Sequence, residues 1–222
     1  MLTGALLSAM GPSCSLPNIV ADVARLHVTS LESIAAVIGV VSVYLSTRQN
    51  VWSWPTGLIN VVLYSWIFWH ARLYADAGLQ VVYALFSVYG WHQWLYGGTG
   101  RVPLPVSRAG WRLWTWLAPL TIAVAVISGV LFRRYTNNPA PFADSALTAT
   151  SLAAQWLLTR KVLENWLIWI FADLVYVGLF WQRGLCATAA QYLVFLILAI
   201  KGYIDWRLSM RDAARSADLL AT

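Results

Sequence analysis

Charge is what this sequence has least of. Of 222 residues only 11% are Asp, Glu, Lys or Arg, against 59% hydrophobic, and the mean hydropathy is +0.63. Soluble domains carry about 25% charged residues, so a water-soluble globule does not fit. The missing charges leave long neutral windows: the whole stretch between Arg48 and Arg72, then Ala77–Gly100 and Leu113–Phe132. About 20 apolar residues cross a bilayer as a helix.

Other absences exclude other classes. Two cysteines, Cys14 and Cys186, make no disulfide framework, and Cys186, inside an apolar run, reads as a small core residue. Three scattered histidines, His27, His70 and His92, offer no metal-ligand spacing. There is no GxSxG, HExxH, P-loop, GxGxxG or CxxC. An enzyme, a bound cofactor and ATP-driven pumping by this chain alone are not expected. The net charge of +6 is spread over helix ends, with no basic cluster interleaved with aromatics, so nucleic acid is not an expected partner. Leu2–Met10 is apolar but short, is followed by Gly11, Pro12 and Pro17, and lacks the basic flank of a signal peptide. Met1–Ser30 reads as a tail or interfacial piece, with an extra helix as the alternative.

Seven spans follow, at Leu31–Thr47, Val51–His70, Ala75–Tyr96, Trp111–Phe132, Phe142–Thr159, Val162–Gln182 and Leu185–Arg207. The expected fold is an all-α polytopic membrane protein with seven transmembrane helices. One side of the seven carries Arg25, Arg72, Arg133, Arg134 and Arg183; the other carries Arg48, Arg101, Arg108, Arg112, Arg160, Lys161, Arg207, Arg211 and Arg215. The positive-inside rule makes the second side, with the C-terminus, cytoplasmic.

The chain also repeats itself. Glu32–Trp94 overlays Asp144–Trp206 without a gap, and the identities fall on distinctive residues: Arg48/Arg160, Trp54/Trp166, Tyr64/Tyr176, Trp69/Trp181, Gly90/Gly202 and Trp94/Trp206 among them. Each copy holds three spans, and one span separates them, so the copies run parallel. That gives a first repeat at 31–96, a linker helix with its loops at 97–141, a second repeat at 142–207 and a cytoplasmic tail at 208–222. Parallel repeats are one of the arrangements used by secondary transporters, whose substrate sites lie at mid-membrane between the copies.

Candidate site residues are the polar and aromatic ones at mid-depth. On the sixth span Trp166, Trp169, Asp173 and Tyr176 share one helix face, with Asn165 at its start. A carboxylate facing lipid costs about 2.5–3.5 kcal/mol, so Asp173 must face protein or a wet cavity. It can be a counter-charge for a cationic substrate, a proton site or a structural residue. The indoles favour the first, because aromatic faces attract cations. On the second span Gly57, Asn60, Tyr64 and Phe68 share a face; Asn60 can equally make an interhelical hydrogen bond, and Pro55 can kink the helix or start it. Gln80, Tyr83, Ser87 and Trp91 or Trp94 line up on the third span, and Gln191, Tyr192 and Phe195 lie deep in the last. Trp94, Tyr96, Trp111, Trp114 and Trp116 read as an interfacial belt, and Lys201–Asp205 as a snorkelling i,i+4 pair. Gly57 stands opposite Trp169 in the repeat, and Val61 opposite Asp173. Shared residues are therefore expected to pack, and Trp169 and Asp173, with Asn165 and Gln80 in support, to contact substrate.

The stretches WPTGLINVVLYSWIFW, LYADAGLQVVYALFSVYGWHQW, RKVLENWLIWIFADLVY and LVFLILAIKGYIDW resemble the PnuC family of bacterial vitamin transporters, including its NWxxW element at Asn165, Trp166 and Trp169. The resemblance covers about Leu31–Trp206. It implies a three-plus-one-plus-three fold similar to that of SWEET sugar transporters, a homotrimer in the bacterial inner membrane, and facilitated diffusion of nicotinamide riboside made one-way by cytoplasmic phosphorylation. Related members take thiamine, riboflavin or deoxynucleosides. The family's site points to Gln80, Asn165, Trp166, Trp169 and Tyr176. At the position of Asp173 the nicotinamide riboside members carry an amide; a carboxylate suits a pyridinium or a thiazolium, which makes thiamine the runner-up. Proton-coupled symport and a receptor that does not transport are the further alternatives.

Overall fold

The computed structural model describes residues 30–136, 140–182, 184 and 186–221. Of the tail expected at 1–30, all but Ser30 lies outside the described residues. Seven helices follow in order: α1 Ser30–Thr47, α2 Ser53–His70, α3 Tyr74–Tyr96, α4 Trp111–Tyr135, α5 Pro141–Thr159, α6 Asn165–Gln182 and α7 Cys186–Ala221. Among the described residues there is no strand, only an isolated bridge between Ser107 and Val162.

The helices begin and end where local chemistry directs. Pro55 sits in the first turn of α2, so it starts that helix and does not kink it. The turns after α1 and α5 are alike. Gln49 and Lys161 adopt positive φ of 53° and 48°. Asn50 N–H then reaches back to Leu45 O, and Val162 N–H to Leu157 O, which satisfies carbonyls the helix end leaves free. The last helix overruns its expected end at Arg207 and continues to Ala221, 36 residues in all. Residues 208–221 contain no Gly or Pro and are rich in Ala, Leu and Arg, so nothing stops the helix. Cys186 is buried but is not a free thiol; its reading as a plain core residue is corrected.

Neighbouring helices pack in sequence: α1 on α2, α2 on α3, α5 on α6 and α6 on α7. The two groups meet through α1–α7 and α3–α5, and α4 packs on α5. Polarity runs inside out. On α6 Leu167, Phe171 and Leu174 are exposed, while Asn165, Trp166 and Asp173 are buried. On α2 and α3, Ile59, Val62, Val81, Leu85 and Val88 likewise face outward. That pattern suits a lipid surround, where the solvent is apolar and polar groups must pair or gather inside. Among the described residues α4 alone is long and apolar enough by itself to cross a membrane.

Four tryptophans knot the two groups together. Trp54, Trp94, Trp166 and Trp206 are each 3% exposed or less. Trp94 and Trp206 stand 5.8 Å apart, and each takes a neighbour edge-on, Trp54 at 5.3 Å and Trp166 at 5.4 Å. The sequence reads Trp94 as part of the interfacial belt; the structure puts it in the core, because α3 meets α5 there. Tyr96, Trp111, Trp114 and Trp116 are exposed.

Candidate functional site

Directly beside the tryptophan knot, the centre of the bundle opens into two adjoining lobes. The larger, about 450 Å³, is lined by Ser42 of α1, Gly57, Asn60 and Tyr64 of α2, Gln80 and Tyr83 of α3, and Thr188 and Gln191 of α7. The smaller, about 260 Å³, is lined by Trp166, Trp169 and Asp173 of α6, with Ser46 and Leu158 from the last turns of α1 and α5. Val43, Gln155, Tyr192 and Phe195 line both and form the neck between them.

The lobes differ in chemistry. The larger gathers amides and hydroxyls. Of these, Asn60 donates its Nδ2 to Ala35 O at 2.5 Å, the interhelical bond foreseen for it, and still faces the cavity. The smaller lobe holds two indoles and a carboxylate. Asp173 is 4% exposed. The one ion pair among the described residues is Lys201–Asp205 at 2.5 Å, the expected i,i+4 pair, so no protein cation neutralises Asp173 there. A buried carboxylate with no protein counter-charge is costly to hold ionised.

Of the expected site residues, Trp166, Trp169 and Asp173 line the small lobe, and Asn60, Gln80, Tyr83 and Gln191 the large one. Two stand apart. Asn165 is fully buried at the start of α6, bonds back to Val162 O at 2.6 Å and lines neither lobe. Tyr176 faces a third cavity of about 740 Å³ between α3, α4 and α5, with Arg72, Asp76 and Asp144. On its other side it stacks on Tyr192 at 4.7 Å. Sequence reasoning passes over Gln155. It is an uncharged amide within an apolar stretch of α5, the same signal that singled out Gln80.

At the tryptophan end, residues 102–110 strap across the α5–α6 turn. Ser107 exchanges backbone hydrogen bonds with Lys161 and Leu163, and Ala109 N–H donates to the Glu164 carboxylate at 2.8 Å. Under this strap the Lys161 ammonium lies 4.6 Å from the Trp94 ring centroid. Burial pulls its pKa down to about 8.

A helical bundle that is apolar outside and holds a polar, two-lobed chamber inside is the build of a membrane transporter. The profile of the family described as "Nicotinamide mononucleotide transporter" matches residues 29–208, and the chain belongs to that family. It is similar to the nicotinamide riboside transporter PnuC of Escherichia coli (strain K12), 25% identical over 218 residues, covering 84% of this chain and 89% of that one. It is also similar to the riboflavin/roseoflavin transporter RibM of Streptomyces davaonensis, 28% identical over 196 residues, with 85% and 90% covered. A solved structure titled "Crystal structure of the Vitamin B3 transporter PnuC" superposes with a TM-score of 0.66 at 22% identity, covering 93% of this chain and 90% of that one.

Proposed function

We propose that this chain carries nicotinamide riboside across a bacterial inner membrane by facilitated diffusion, with phosphorylation in the cytoplasm trapping the cargo. The observation that carries the reading is Asp173, buried at 4% exposure without a protein counter-charge, beside Trp169 in a lobe that opens onto an amide-rich one. A flat cationic ring supplies the missing charge, and the Trp169 face adds about 0.5–2 kcal/mol of cation–π attraction. Asn60, Gln80, Tyr83 and Gln191 then face the sugar. Thiamine, whose ring is also cationic, is the second reading, and Asp173 favours both over a neutral flavin.

The mechanism rests on two parallel three-helix repeats joined by α4, rocking about the central chamber. The pairwise packing supports it: each helix contact in one repeat has its counterpart in the other, and α1–α7 answers α5–α3. The arginine distribution supports a cytoplasmic C-terminus, which puts the tryptophan knot on the inner side of the chamber. The homotrimer follows from the family resemblance alone.

Binding to the purified chain, read as quenching of its tryptophans, tests the reading. Saturable quenching by nicotinamide riboside, strongly weakened in Asp173→Asn, is expected. No response to that compound or to thiamine, with Trp169→Ala indistinguishable from the unaltered chain, sinks it. Counterflow in liposomes separates a carrier from a receptor, which gives none.

A further inference from the structure

We infer that Gln155 is a specificity-determining residue: it reads the junction between the flat ring and the polar sugar of the cargo, and so selects molecules that have both parts. The inference rests on the transport reading above and deepens it.

Gln155 belongs to both lobes. It comes from α5 and shares the boundary between the lobes with Val43 of α1 and with Tyr192 and Phe195 of α7. It is half-buried, and its side chain makes no hydrogen bond among the described residues. Of the four shared residues Val43 and Phe195 are apolar and Tyr192 carries a single hydroxyl, so Gln155 is the one amide at the boundary, offering both a donor and an acceptor.

The lobes on either side accept different chemistry, a cationic aromatic ring by Trp169 and Asp173 and a polyol by the amides. A molecule that fills both must pass its ring–sugar bond through the boundary that Gln155 lines with Val43, Tyr192 and Phe195. A molecule with only one part fits one lobe and leaves the Gln155 amide to water. An amide that is desolvated and paired by the two-part molecule, and merely hydrated otherwise, contributes to the difference between them.

The experiment compares two probes on one set of proteins by tryptophan quenching. Nicotinamide riboside has the charged ring and the sugar; 1-methylnicotinamide has the charged ring alone. In Gln155→Leu the dissociation constant for the riboside should rise about tenfold or more, while that for the methylated ring stays within about twofold of the unaltered chain. Asp173→Asn should weaken both. Val43→Phe crowds the same boundary from α1 and should reproduce the split, which keeps the test open if Gln155→Leu does not fold. Equal loss of both probes in Gln155→Leu, or no loss of either, overturns the role of Gln155 while leaving the transport reading in place. Failure of the unaltered chain to bind either probe overturns the transport reading and this inference together.

Discussion

Trp94 donates its indole N–H to Leu158 O at 3.0 Å; Trp206 donates its own to Ser46 O at 3.1 Å. The offset that carries Trp94 onto Trp206 also carries Ser46 onto Leu158, so one bond is the repeat image of the other. A Cβ on Gly90 would run into the Trp54 ring, and one on Gly202 would run into the Trp166 ring. The chamber is different. Its lining pairs Val43 with Gln155, Val61 with Asp173, Gly57 with Trp169, Gln80 with Tyr192, Tyr83 with Phe195 and Ser87 with Ala199, and none of these pairs matches. The tryptophan pairs that meet at the knot are identical, whereas repeat pairs of which both members line the cavity differ; Tyr64 and Phe68 line the large lobe too, but their identical counterparts Tyr176 and Phe180 lie outside both lobes. Matching segments that pack on each other need the same shape twice, whereas a small asymmetric molecule needs different groups on its two sides.

The sharpest way to break this comparison is to remove a member of the knot. Trp206 is fully buried and its N–H satisfies a carbonyl in the last turn of α1. Truncation to alanine should cost about 3–5 kcal/mol, seen as a large drop in melting temperature in detergent, and Trp94→Ala should cost nearly the same. A large inequality between them would mean that the cluster is lopsided despite its geometry. Next in size come Gly90→Ala and Gly202→Ala. Each pushes a methyl into an indole that has no room to retreat, at about 1–3 kcal/mol. Either substitution proving harmless would show that the tryptophan rings can move aside.

Cavity substitutions should lose the likeness. Asp173→Asn should weaken a cationic ligand by about 10- to 100-fold, the scale of a hydrogen bond or contact to a charged group. Val61→Asn, at the matching position, should leave affinity within about threefold, since the methyls it replaces face the amide-rich lobe and carry no charge. Equal effects at the two positions would make the chamber as symmetric as the knot, and Asp173 a structural residue.

How much of this is visible without the structure follows the same division. Periodicity and charge gaps place seven helices to within a few residues, because apolar runs and turn residues act locally. The repeat is legible from Trp54/Trp166 and Trp94/Trp206, yet the meaning of Trp94 is not. A tryptophan near a helix end reads as an interfacial residue, and only the meeting of α3 with α5 buries it. Asp173 and Trp169 stand out by helix-face spacing. Asn165 shares their stretch but turns back to donate its amide to Val162 O in the α5–α6 turn. Gln155 carries the same signal as Gln80, an amide inside an apolar stretch, but its own helix face holds no aromatic neighbour like Tyr83 to draw attention to it. The end of α7 is misplaced for a simpler reason: the apolar run stops at Arg207, but helix propensity does not.

The smallest expected effect is at Lys161, whose counterpart Gln49 occupies the same left-handed turn position without a charge. Lys161 is 6% exposed, and burial lowers its pKa to about 8, below the 10.5 of a free lysine. Between those values the unfolded chain binds a proton that the folded chain does not, so this group's contribution to stability rises with pH across that window. Below pH 8 the folded protein bears the full cost of a buried ammonium, offset in part by the Trp94 face. Lys161→Gln makes the two turns alike and removes both terms. It should raise the melting temperature slightly at pH 7, because the relief of burying the ammonium is partly cancelled by loss of the cation–π contact, about 0.5–2 kcal/mol. The advantage should shrink as the pH is raised to about 9.5, where the lysine in the unaltered chain is largely neutral. A gap between the two proteins that stays constant over this range would place the ammonium in water, outside the strap that residues 102–110 lay over it.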